Sequence, residues 1–114
     1  MDPLRVRAAI RRYGATHPGY EAEFLVDSPT IDVVAPASDL IRAGIERRPN
    51  ENYGFAQIEL LGVVTVGRVI FGAEGTKPIL GTLLFESLFV VDPSTHAITR
   101  RNGRLPGIRP ARSR

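Results

Sequence analysis

Apolar residues alternate with arginine and alanine near the start of the chain, Leu4, Val6, Ala8 and Ile10 against Arg5, Arg7, Ala9 and Arg11. A period of two puts one set on each face of an extended backbone, so the segment reads as a half-buried β-strand. Further short runs follow, each ended by turn residues. Tyr13-Gly14 and His17-Pro18-Gly19 supply turn chemistry, and Glu21–Val26 reads as a second strand that forms a loose hairpin with the first. Asp27-Ser28-Pro29 breaks that strand, and Ile31–Val34 resumes an extended run. Pro36, Ser38 and Asp39 open a short helix over Ala37–Ala43, which Gly44 stops. Phe55–Leu61 and Val63–Phe71 are two more strands with Gly62 at or near their turn, the second β-branched as a well-buried strand should be. Gly72–Pro78 is a loop and Ile79-Leu80-Gly81 is extended, with a second short helix or turn over Thr82–Ser87. Leu88–Val91 is a strand, Asp92-Pro93-Ser94-Thr95 a turn and His96–Thr99 a closing strand. Many short strands with little helix predict an all-β barrel or sandwich.

Composition narrows the classes of function. The 114 residues are enough for one core and too few for two, and 43% are hydrophobic, as in a folded domain. The absence of cysteine excludes disulfides, thiolate metal sites and a cysteine nucleophile. No stretch has the order of a signal peptide, and Leu60–Phe71 and Ile79–Val91 are too short to span a bilayer, so no membrane partner and a cytoplasmic location are expected. Charge is uneven: Glu21–Thr99 carries five basic and eleven acidic residues, and the two ends carry ten basic residues and only Asp2. From Asn102 onward Gly, Pro and Arg follow one another without periodicity. The chain therefore divides into a domain over 1–101 and a basic, flexible tail over 102–114.

Most chemistries find no support in the residues. Gly62–Gly67 has the glycine spacing of a phosphate loop, but Arg68-Val69 follows where Lys-Ser/Thr is needed. His17 and His96 lie in turns without metal-ligand spacing, and no Gly-x-Ser-x-Gly elbow is present. No metal and no cofactor are expected. Asp27 stands apart because it ends the apolar strand Phe24-Leu25-Val26 and is followed by Ser28, Pro29 and Thr30 and then a second apolar run.

The run Phe24-Leu25-Val26-Asp27-Ser28-Pro29-Thr30-Ile31-Asp32-Val33-Val34-Ala35-Pro36 resembles the active-site segment of retroviral-type (retropepsin-like) aspartic proteases of the bacterial and archaeal branch. Gly67–Gly72 leading into Pro78-Ile79-Leu80-Gly81, and Leu84-Phe85-Glu86-Ser87-Leu88 running into Val90-Val91-Asp92-Pro93, are similar to that family's C-terminal half. The resemblance spans about Leu4 to Thr99. It implies an acid-protease-like closed β-barrel with one or two short helices, one lobe per chain. It further implies peptide-bond hydrolysis by two Asp27 carboxylates across a homodimer axis, with peptide or protein as substrate. In that reading Asp27 is catalytic, Ser28, Pro29, Thr30, Leu80 and Gly81 support the motif, and the terminal strands help form the interface. Asp32 is expected at the surface, on the opposite face from Asp27, and Glu86 is expected to support loop structure.

Two departures from the family pattern fall on functional positions. Pro29 replaces the glycine whose N–H helps hold the catalytic carboxylate, and a proline restricts the preceding Ser28 to extended geometry. The hairpin that closes over substrate is missing, because Glu46–Gly54 would reach only roughly 13–15 Å. A weak peptidase is the first expectation. A catalytically silent dimer that binds peptide or scaffolds a partner is the second. The third is nucleic-acid binding through Arg-rich termini, including Arg100, Arg101, Arg104 and Arg109.

Overall fold

Val6, Ala8 and Ile10 turn inward along β1 (Arg5–Arg11) while Arg5 and Arg7 face solvent, so the alternation read in the sequence is the alternation of the strand. A computed structural model describes residues 4–16, 19–92, 94–95 and 97–101. Expectations placed on His17, His96 and the 102–114 tail lie outside the described residues. Ala9 departs from the alternation and is buried too. It sits between Glu21 and Glu59 on the two flanking strands, whose longer side chains stand to either side of it.

β1 pairs antiparallel with β2 (Tyr20–Val26) on one side and with β4 (Tyr53–Leu60) on the other. β4 folds back on β5 (Val63–Gly72), and β5 runs parallel to β3 (Val33–Pro36). The two-residue β6 (Ile79–Leu80) closes the ring between β3 and β2. The result is a closed six-stranded barrel in the order β1-β2-β6-β3-β5-β4. Two short helices accompany it, α1 (Ala37–Arg42) after β3 and α2 (Thr82–Leu88) after β6. The expected all-β closed barrel with short helices is thus the observed architecture. A small separate sheet of β7 (Phe89–Val91) and β8 (Ile98–Arg100) follows.

Nine large side chains fill the interior without contact with water, among them Phe24 from β2, Ile58 and Leu60 from β4, Leu80 from β6 and Phe85 from α2. Each buried aliphatic or aromatic side chain of this size contributes on the order of 1.5–3 kcal/mol relative to exposure. No polar or charged residue is buried among the described residues. Phe85 is the buried residue that α2 contributes to this core.

Local chemistry sets the joints. Leu61 and Gly62 both take positive φ, 49° and 82°, the two-residue hairpin geometry that matches strand twist. Leu61 thus belongs to the turn and not, as the sequence suggests, to the strand. Register carries β4 two residues further back than expected, since Tyr53 pairs with Ile70 and Gly54 with Val69. α1 ends one residue earlier than expected, with Ala43 as its cap. Its N-terminus has no side-chain cap of its own; Glu74 from the β5–β6 loop accepts from Ser38 N (3.3 Å) and Ser38 Oγ (2.9 Å).

Candidate active site

Asp27 lies one residue beyond β2, where the barrel changes from a paired strand to a loop. Its backbone N–H donates to the Leu80 carbonyl at 3.0 Å, continuing the parallel pairing of Leu25 with Ile79 and Val26 with Leu80. On the far side of β6, Val33 pairs with Leu80 and Val34 with Ile79. β2 and β3 are therefore antiparallel limbs of one loop with β6 threaded between them, and residues 27–32 form the bend. Asp27 projects from that bend, exposed.

The bend is fixed through its carbonyls. Ser28 O accepts from Thr82 N (2.9 Å) and Thr82 Oγ1 (3.1 Å), and Thr30 O accepts from Leu83 N (3.0 Å) and Leu84 N (3.4 Å). These are N–H groups of the first turn of α2, which lack partners inside the helix. Gly81 N donates to Asp32 O at 2.9 Å. A Cβ on Gly81 would lie 2.1 Å from Thr30 O, so only glycine permits this approach. Thr30 also caps its own bend, with Thr30 Oγ1 accepting from Asp32 N at 3.2 Å. The motif residues Thr30, Leu80 and Gly81 are thus brought together with Asp27 and Ser28 by hydrogen bonding.

Ser28 overturns one expectation. Instead of the extended conformation that a following proline favours, it takes φ 70°. The cause lies in its neighbours: the Ser28 carbonyl must reach α2 and also accept from Thr30 N at 2.8 Å around Pro29. The Ser28 N–H is then directed back to Asp27 Oδ1 at 2.9 Å. An N–H one residue earlier in the chain holds the carboxylate that Pro29, having no N–H, cannot hold.

Asp32 overturns another. Its carboxylate is only 15% exposed and is gripped by the Arg68 fork, Nε to Oδ1 at 2.8 Å and Nη2 to Oδ2 at 3.2 Å. Residues 27–32 are bent, so alternation along a strand does not set which way Asp32 faces. The Asp32 hydrogen bonds, and after them its charge, push the Arg68 guanidinium pKa further up, and the guanidinium also lies 5.1 Å from the Tyr53 ring centre. Arg68 was not singled out for this position by the sequence. The one hint is an arginine interrupting the apolar run Val63–Phe71. Glu86 is exposed, and its backbone carbonyl, not its carboxylate, accepts from Arg101 Nε at 2.9 Å.

Among the described residues, the segment between α1 and β4 contains no hairpin. Residues 43–52 form a loop, in which Glu51 N donates to Arg48 O (3.0 Å) and Arg48 N to Tyr53 O (2.8 Å). Two large apolar side chains stand in the open, Ile31 on the bend at 59% exposure and Leu83 on the first turn of α2 at 49%. No helix is long and apolar enough to cross a membrane among the described residues. The class defined by these observations is a closed six-stranded β-barrel with one exposed carboxylate on a bend locked by an inserted strand. No protein-family model matches the chain, and no curated protein matches it.

Proposed function

We propose that the chain is a retropepsin-like aspartic endopeptidase homologue that works as a homodimer, with one Asp27 from each protomer. The observation that carries this reading is the placement of Asp27, exposed, on a bend anchored to Leu80 and α2. A single carboxylate cannot serve as base and acid at once. Two of them across a two-fold axis share one proton, because two so close cannot both ionise. The ionised Asp27 takes a proton from water as the water oxygen attacks the peptide carbonyl carbon. The protonated partner gives its proton to the carbonyl oxygen. As the tetrahedral diol collapses and the C–N bond breaks, Asp27 gives its proton to the amide nitrogen and the now-ionised partner takes a proton from one diol hydroxyl, which restores the shared proton.

Activity is expected to be weak. The N–H on Asp27 comes from a strained Ser28, and a misplacement of about 1 Å can cost on the order of a hundredfold in rate. The open face beside the bend excludes little water, where closing lids normally do so. The same open face favours a second reading, a silent dimer that holds an extended peptide without cutting it.

A peptidase assay on unfolded protein from about pH 3 to 7 separates the two, run on the wild type and Asp27→Ala. Cleavage that disappears in the variant supports the peptidase. A folded, dimeric wild type that cuts at no pH overturns it and leaves peptide binding, measured on the same sample by titration calorimetry.

A further inference from the structure

A second surface lies at the other end of β2 from Asp27, a strand of seven residues away. There the end of β1, the 43–52 loop and the start of β4 enclose an open cleft of about 390 Å³ lined by Arg12, Tyr13, Glu46, Arg48 and Phe55. Tyr13 is 55% exposed and Phe55 46%, so two rings of the lining reach solvent in a cleft that also holds two guanidinium groups. Arg48 already lies 5.9 Å from the Phe55 ring centre. Neither Arg12 nor Arg48 forms an ion pair among the described residues, and Glu46 is the one carboxylate in the lining. Arg12 lies across Gly44, and on its other side a cleft of about 400 Å³ continues past Gly14 and Ala15 to Arg42. The two clefts share Arg12 and Gly44; both rings lie in the first, and Arg42 at the far end of the second is paired with Asp39.

Exposed aromatic rings together with unpaired arginines are what a nucleic-acid strand requires: bases stack on the rings and phosphates meet the cations. We infer that the first cleft binds single-stranded nucleic acid, with bases on Tyr13 and Phe55 and phosphates on Arg12 and Arg48. The half-open rings favour a strand over a free nucleotide, which pockets usually bury by about 70–90%. A duplex keeps its bases stacked on each other and cannot use the rings. The short loop that fails as a flap supplies Arg48 and so has a role in this site.

The test is fluorescence anisotropy of a labelled single-stranded dodecamer with the full chain, over salt from about 50 to 200 mM. Tyr13→Ala and Phe55→Ala should each weaken binding on the order of tenfold. Arg12→Ala with Arg48→Ala should lower the slope of log affinity against log salt by about 1.4, two phosphate contacts at ~0.7 each. Glu46→Gln should tighten binding. Unchanged affinity in both ring variants, with melting curves showing them folded, overturns the proposal even if the wild type binds, because the Arg-rich ends are then the contact. No binding by the wild type overturns it as well. So does equal affinity for a duplex, or displacement by a mononucleotide at the oligomer's own concentration.

Discussion

Three non-glycine residues take positive φ, and while Asn50 is of a type that tolerates it, Ser28 and Leu61 are not. Ser28 and Leu61 both take positive φ, a region that costs a residue with a Cβ about 1–2 kcal/mol. Their settings differ. Leu61 is half-exposed at the β4–β5 turn and next to Gly62, so Leu61→Asn creates the Asn-Gly pair preferred there while losing little burial. The expected outcome is a gain of about 1 kcal/mol, read as a higher denaturant midpoint with unchanged slope. Ser28 instead is held by Thr82 and Thr30 through its carbonyl, and its strain coincides with the carboxylate it steadies. Strain of this kind gathers where geometry serves a site. The sequence puts Ser28 in the break after β2 but Leu61 in the strand, and it gives neither φ, because positive φ follows from what the flanking groups must reach and not from residue type.

At the scale of elements, the contact between the 27–32 bend and α2 matters most. α2 has only seven residues and no side-chain cap, so its first N–H groups depend on Ser28 O and Thr30 O, and the bend depends on them in return. Gly81→Ala forces a methyl into Thr30 O and should separate the two. The expected loss is about 2–3 kcal/mol, measured by thermal or chemical unfolding. Amide exchange should show Leu83 and Leu84 losing protection ahead of β4 and β5. Helix and strand placement was largely legible, since Pro36, Gly44, Gly62 and the period-two runs mark boundaries by local rules. The Arg68 fork on Asp32 and the Glu74 cap on Ser38 were not. Each joins residues far apart in sequence, and single-residue chemistry does not say which loop a charge will meet.

For the whole molecule, the Asp27 end of the barrel sets exposed Ile31 and Leu83 on the bend and the helix that it is bonded to. If two Asp27 bends meet across a two-fold axis, the exposed Ile31 of each bend lies close to that axis, so Ile31→Asp should give a folded monomer, with circular dichroism unchanged and sedimentation equilibrium reporting half the wild-type mass. A monomeric wild type would remove the second carboxylate and with it the peptidase reading. The architecture follows from alternation and turn chemistry, and the Asp27 segment stood out because an apolar strand ends on an acid. Closure was not readable in the same way. It rests on the two residues of β6, which pair parallel with β2 and antiparallel with β3. That late, short insert has a kinetic consequence. As the chain leaves the ribosome, β1, β2, β4 and β5 can all be present while the limbs around Asp27 still have nothing between them. Contacts so distant in sequence are slow to form, so the carboxylate stays unanchored until Ile79 and Leu80 arrive. A nascent chain stopped short of them should hold its hairpins and have no assembled site.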